Sequence, residues 1–303
     1  MSRVMLTGAT GFVGRHTLLA LARAGHDVRA VARRRGPELA GVTWHESDLL
    51  AGCEVVGEVE PEILIHLAWY AEHGKFWSST ENVRWVEASL ALLRAFAAAG
   101  GERAVIAGTC AEYEPSFEVY PESAPQQPET LYGASKHGLH VIASAFAAEV
   151  GLSLAWGRLF FLYGPFEQPE RFVPSLVLAL LRRERARMTE GTQLRDFLHV
   201  ADAGAAFAAL ADSALTGPVN IASGQAIKLR ELATLIARYT GSLELLDVGG
   251  MPRREGEASS IVADVHRLEG EVGWRPRIAL EDGVRDTVTW WRERLATPEH
   301  DRL

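Results

Sequence analysis

Thr7-Gly8-Ala9-Thr10-Gly11-Phe12-Val13-Gly14 follows directly on the apolar run Val4–Thr7 and opens the amphipathic run Val13–Ala24. Strand, glycine turn and helix in that order bring backbone N–H groups to a helix N-terminus with no side chains in front of them. A pyrophosphate needs such a seat. A glycine pattern alone describes any tight turn, but at the head of a repeating strand–helix series it points to dinucleotide binding. Gly8, Thr10, Gly11, Phe12, Val13 and Gly14 are the turn residues expected to meet that ligand.

Outward from the turn, short apolar runs alternate with longer amphipathic ones, the pattern of βαβ units around a parallel sheet. Strands are predicted at Val4–Thr7, Val28–Ala32, Val42–Glu46, Ile63–His66, Ala104–Ala107 and Leu152–Leu159. Helices are predicted over Val13–Ala24, Glu81–Ala99 and Tyr132–Val150, closing on Gly25, Gly100 and Gly151, where glycine tolerates a left-handed cap. After Pro165 the pattern becomes irregular, with helices expected over Val173–Arg183, Leu229–Tyr239 and about Leu280 to Arg294, and a turn and short strand over Gly191–Val200. The expected fold is α/β, a Rossmann-like doubly wound parallel sheet with a smaller irregular C-terminal substrate lobe. Residues 1–165 form the dinucleotide domain, with return segments near 195–225, and 166–303 form mainly the substrate lobe.

The end of the second strand decides the nucleotide. An acidic residue there would accept hydrogen bonds from a ribose 2′-hydroxyl; this strand ends in Ala32, and Arg33-Arg34-Arg35 follow. A guanidinium pairs with a 2′-phosphate that a carboxylate would repel. NADP is therefore expected, with Arg33 and Arg34 at the phosphate and Arg35 in solvent. Asp48 and Leu49, after the third strand, are expected at the adenine edge.

The formal charge of −8 over 303 residues speaks against general affinity for nucleic acid or an anionic membrane, so an anionic ligand must be held by local arginines. The apolar stretches Ala88–Ala99 and Leu152–Phe166 are interrupted by Arg94 and Arg158, short of the ~20 residues a membrane span needs. Two cysteines, Cys53 and Cys110, imply no disulfide framework, and a reducing cytoplasm is expected.

Lysine occurs only at positions 75, 136 and 228. Tyr132-Gly133-Ala134-Ser135-Lys136 nevertheless places one four residues after a tyrosine, on the same helical face. A phenol with a pKa of about 10 is poorly matched to proton transfer at neutral pH, and an adjacent ammonium is expected to bring it down. Thr109, closing the fifth strand, would hold the same substrate oxygen. These three form the expected catalytic set.

With these residues in order, the chain resembles the extended short-chain dehydrogenase/reductase family, in the branch acting on nucleotide-linked sugars. The resemblance runs through Thr7–Gly14, His66-Leu67-Ala68, Asn82, Thr109 with Tyr113, Tyr132–Lys136, Tyr163-Gly164-Pro165, Arg195–Val200 and Arg253–Glu257. It implies hydride transfer at a nicotinamide, with Leu67, Ala68, Asn82, Tyr132 and Lys136 also at the cofactor. It implies a homodimer built from two helices per subunit, for which Glu81–Ala99 and Tyr132–Ala148 are suited, although simple packing on the sheet would explain them equally. It implies a nucleotide-diphosphate sugar held by Arg195 and Arg254. Arg195 has an ion pair with Asp196 or Asp202 as its plainer alternative, and Arg171 is a further contact to test. Trp69, with Tyr70, His73 and Lys75, either lines the sugar pocket or packs.

Departures narrow the chemistry. The sugar 4,6-dehydratases of this family carry Asp-Glu after the threonine; here Cys110 and Ala111 stand there, with Glu112 one place late and expected to face elsewhere. The family's asparagine before the Tyr-Gly-Pro motif is replaced by Phe161. No metal is expected. The leading expectation is NADPH-dependent reduction of a keto group, at C4, of a nucleotide-linked deoxysugar, with Tyr132 as general acid. The alternatives are a 4-epimerase with tightly bound NAD(P), a non-catalytic NADP-binding sensor, and a reductase of small ketones or steroids.

Overall fold

A computed structural model describes residues 2–253 and 256–296. Val4, Met5 and Leu6 are all fully buried, because both faces of their strand are covered; Val4 and Leu6 face one hydrophobic core and Met5 the other. That double burial explains why the strand reads as a continuous apolar run rather than an alternating one. Seven strands line up as Gly217–Ile221, Ser153–Leu159, Arg103–Thr109, Ile63–His66, Arg3–Thr7, Asp27–Ala32 and Val42–Glu46, and every pairing is parallel. The order reverses beside the glycine-turn strand, which is where such sheets open a crevice at their carboxyl ends.

Helices Phe12–Arg23 and Val200–Asp212 pack together over one face; Glu81–Ala98 and Leu131–Val150 cover the other. The expected strands and helices are found within a few residues of their predicted ends, and Gly25, Gly100 and Gly151 all carry positive φ. The sequence reading gave no element to 200–212. This alanine-rich helix is buried on nearly every side, so it lacks the polar stripe by which a surface helix announces itself.

After Pro165 a second core forms among helices Phe172–Leu181, Leu229–Thr240 and Leu280–Ala296. Its small sheet runs Ala226–Lys228, Leu194–His199, Ser260–Ala263 and Val119–Tyr120, with Phe161–Tyr163 paired alongside Leu194–His199. Residues 200–221 return to the large sheet. Among the described residues, no helix is long and apolar enough to cross a membrane.

Candidate active site

Gly8 stands at φ 71°, and a Cβ there would come within 2.8 Å of the Ala68 nitrogen at the end of the fourth strand. A Cβ on Gly14 would lie 1.9 Å from the Gly8 carbonyl oxygen. The turn is therefore as tight as backbone allows, closed by Gly11 N–H donating to Gly8 O at 2.9 Å. Gly11 caps the helix N-terminus with no side-chain cap and no acid in the first turn, which suits an anion. Thr10 and Gly11 are exposed, and Phe12 and Val13 half-buried, at this end of the sheet. Arg15, which the sequence reading passed over, donates to the Thr10 and Gly11 carbonyls at 2.8 and 3.4 Å and braces the turn.

Beyond the second strand, Arg33 and Arg34 are exposed, with no ion pair among the described residues, whereas Arg35 pairs with Glu46 at 3.2 Å. Asp48 is exposed and accepts from Leu50 N–H; Leu49 is buried in the core. Leu67 N–H donates to Thr7 O, and Ala68 N–H to the Thr7 hydroxyl.

Thr109 ends its strand with its hydroxyl accepting from Ala111 N–H, and its side chain favours the ionised form of the Tyr132 phenol. Helix Leu131–Val150 brings Tyr132 there, capped by the Thr130 hydroxyl accepting from Gly133 N–H. The phenol ring is gripped edge-to-face by Phe76 and Trp77, at centroid distances of 4.9 and 5.7 Å, and Tyr132 N–H donates to Trp77 O. Those two aromatics follow the fourth strand and were not anticipated; nothing in their spacing marks them. One turn along the helix, the buried Lys136 ammonium donates to Ala107 O at 2.8 Å and lies 3.7 Å from the centre of the Trp69 ring.

One expectation is corrected. The phenol is not lowered: burial pushes Tyr132 up to about 12, against a smaller lowering by the Thr109 side chain. Burial in turn brings Lys136 down to about 7, with Glu112 pulling back. The reason is the water the phenol has lost on packing, while the ammonium contacts the Ala107 carbonyl and the indole. Arg171 is among the charges that favour the Tyr132 phenolate.

A second correction concerns Asn82. It is fully buried, its amide hydrogens go to Phe76 O and Ser79 O, and its oxygen accepts from Trp69 Nε1. No hydrogen is left for a cofactor; Asn82 holds the loop and the indole. Trp69 accordingly sits between Asn82 and Lys136.

Glu112 turns away, as expected, but for a different reason than strand alternation. The strand stops at Thr109, and a single 3-10 turn, Cys110–Glu112, swings the carboxylate inward. There it accepts from Thr109 N–H, Trp156 Nε1 and Arg158 Nε, the last at 2.8 Å. Its ligand atom lies within 4.8 Å of those of His137 and His140, but the carboxylate is already occupied by these donors and a guanidinium. Burial pushes the Cys110 thiol up to about 12.

From the second lobe, Arg195 pairs neither with Asp196 nor with Asp202. Its buried guanidinium donates to Glu257 at 3.2 Å and to Ala258 O. Asp196 instead accepts from Ser223, Gly224 and Ala263 N–H, and Asp202 from Arg277 and Ile278 N–H. His199 packs against Tyr163 and faces Asp286. Arg171 lies 3.7 Å from Glu167, a carboxyl that burial pushes up to about 8, Arg171 opposing. Arg254 lies outside the described residues.

A family model described as the NAD dependent epimerase/dehydratase family matches residues 4–222. The UDP-glucose 4-epimerase of Corynebacterium glutamicum is 27% identical over 301 residues, spanning 90% of this chain and 91% of that protein. Among solved structures, MoeE5 in complex with UDP-glucuronic acid and NAD is 31% identical, covering 96% of this chain and 99% of its own, with a TM-score of 0.84. TunA, described as an NAD-dependent NDP-hexosamine 5,6-dehydratase, is 27% identical over 99% of this chain and 100% of its own, also with a TM-score of 0.84.

Proposed function

The chain belongs to the NAD dependent epimerase/dehydratase family, within the extended short-chain dehydrogenase/reductase branch, and from that premise we propose that it reduces the C4 keto group of a nucleotide-linked deoxysugar with NADPH. One observation carries the reductive reading: the phenol that Thr109 holds is kept protonated across the neutral range, while the positions after Thr109 offer no acid pair. A group held protonated is a donor to a carbonyl oxygen. Dehydration needs a carboxylate beside the ring; the Cys110 thiol is neutral, Ala111 is inert and Glu112 is committed inward.

When bound, the cofactor supplies a hydride to the carbonyl carbon. Tyr132 gives its proton to the carbonyl oxygen, Thr109 holds that oxygen in place, and solvent returns the proton to Tyr132. The tight glycine turn is the seat for the pyrophosphate, and Lys136, one helical turn from the phenol, orients the nicotinamide ribose. Arg33 and Arg34, exposed beyond Ala32 and without an ion pair among the described residues, support the 2′-phosphate form. Loss of one charge-assisted contact costs about 1.5–3 kcal/mol, so Arg33→Ala raises KM for NADPH roughly 10- to 100-fold and leaves KM for NADH unchanged. Equal KM changes for both cofactors remove the argument for NADP.

Arg171, whose charge reaches Tyr132, and Arg195 are proposed to hold the diphosphate, with a phosphate taking over from Glu257 at Arg195. The second reading is a 4-epimerase retaining its dinucleotide, favoured by the NAD carried by MoeE5 and by the epimerase relative. Mixing the enzyme with NADPH and a 4-keto sugar nucleotide separates the two. Reduction consumes NADPH mole for mole with substrate, and epimerisation does not.

The protein is proposed to work in the reducing cytoplasm as a homodimer. Val83, Val141, Ile142 and Val150 are exposed on helices Glu81–Ala98 and Leu131–Val150, a set of apolar side chains that pairing would cover. Val141→Glu combined with Ile142→Glu is expected to convert a dimer to a monomer by light scattering; a parent already monomeric at micromolar concentration rules the dimer out.

A further inference from the structure

We propose that Trp69 is a positioning residue for Lys136: its indole face seats the ammonium and, with the Ala107 carbonyl, fixes two of the three N–H directions so that the third is turned to the crevice. The inference rests on the reading of Lys136 as the active-site cation. Its physical content is local. Lys136 is 4% exposed, and a buried ammonium must find compensation. One hydrogen goes to Ala107 O at 2.8 Å; the centre of the Trp69 ring is 3.7 Å from Nζ, well within cation–π range.

The ring itself is anchored. Trp69 Nε1 donates to Asn82 Oδ1 at 2.8 Å, Asn82 is tied to the Phe76 and Ser79 carbonyls, and Trp85 packs behind at 6.2 Å. An indole held at its nitrogen presents its face, the electron-rich side, in one orientation. Other charged or titratable groups bear on the ammonium from neighbouring elements. Glu112 favours its charge, but that carboxylate is engaged by Arg158. His66, on the fourth strand, is held neutral, down to about 3, by burial and then by Lys136 itself, within a chain of hydrogen bonds to Thr7 and Ser89. Tyr132 lies one turn back on the same helix, protonated. The indole face is thus the contact free to stabilise the cation.

Lys136 already titrates near 7 because burial disfavours its charge. Removing the ring withdraws stabilisation from the charged form only, so the pKa falls further and the ammonium is lost at lower pH. With only three lysines in the chain, Lys75, Lys136 and Lys228, lysine labelled with 13C at Cε gives a spectrum that resolves by residue.

The test is a pH titration by NMR of the full chain, as purified and saturated with NADPH, for the parent, Trp69→Leu, Trp69→Phe and Trp85→Leu. In the parent the Lys136 signal is displaced from those of Lys75 and Lys228 by the indole ring current. In Trp69→Leu the displacement disappears, the midpoint falls by about one pH unit, and the alkaline limb of kcat/KM moves the same way. Trp69→Phe falls between, and Trp85→Leu matches the parent. Trp69→Phe decides the matter if Trp69→Leu does not fold. A folded Trp69 variant with the parent's Lys136 shift and midpoint overturns the proposal. The NMR result needs no sugar substrate, so failure of the reductase reading leaves it standing, and its own failure leaves that reading untouched.

Discussion

Tyr132→Phe is expected to lower kcat by roughly 10³- to 10⁴-fold while NADPH affinity changes by no more than about threefold. The substitution removes one oxygen and leaves the ring, so the edge-to-face packing on Phe76 and Trp77 and the helix N-terminus at Thr130 are retained. Lost is the phenol proton, together with the phenol's interaction with the Thr109 side chain. Because burial pushes the phenol up to about 12, the wild-type group is protonated throughout the neutral range. Carbonyl reduction, which needs the acid form, is then flat in this group between pH 6 and 9. The reverse oxidation needs phenolate, whose share rises about tenfold per pH unit over the same interval. Single-turnover kinetics in both directions measure this. A variant that reduces at the parent's rate would make the chain a binding protein with an unused phenol.

Gly14→Ala is expected to abolish NADPH binding, with affinity falling more than about 100-fold, and to destabilise the fold by about 1–3 kcal/mol. The new methyl would sit 1.9 Å from the Gly8 carbonyl oxygen, 2.7 Å from its carbon and 3.0 Å from the Ala9 Cα. All three are backbone, so no rotamer relieves the clash and the turn must open. Opening it pulls apart the Gly11 to Gly8 hydrogen bond and swings the helix N-terminus off the place where a pyrophosphate would sit. Gly138→Ala is the control: it is helical, with nothing within 4 Å of the added Cβ, and gains about 0.5–1 kcal/mol. Fluorescence titration with NADPH and urea unfolding read both effects. An alanine variant that binds NADPH as the parent does would remove the glycine turn from the cofactor site.

Which parts of the site were legible follows from how each residue does its work. The turn, the strand ending in Ala32 and the Tyr132–Lys136 pair act through neighbours a few residues away, so their spacing carries the information. Asn82 and Trp69 act on partners that only folding supplies. Asn82 was expected at the cofactor and instead braces a loop with its amide; Trp69, expected to line the sugar pocket or to pack, lies against Lys136. Arg15, Phe76 and Trp77 left no mark, since an arginine after a glycine turn and two adjacent aromatics in a loop occur for many reasons. Arg195 shows the same divide: its motif was plain, but its partner, Glu257, is 62 residues away in sequence.

By itself the sequence determined the alternation of strands and helices up to Leu159, the glycine turn, and which helix carries the phenol and the ammonium, because periodicity and short spacing encode local geometry. The tertiary structure alone decided the direction of each polar group. Lys136 meets a carbonyl and an indole, Glu112 turns away onto Arg158, and Tyr132 is raised where a lowered value was expected. Direction and burial arise when distant segments pack, and protonation follows from burial. A linear chain fixes which side chains lie one turn apart; only packing fixes how much water each of them has lost.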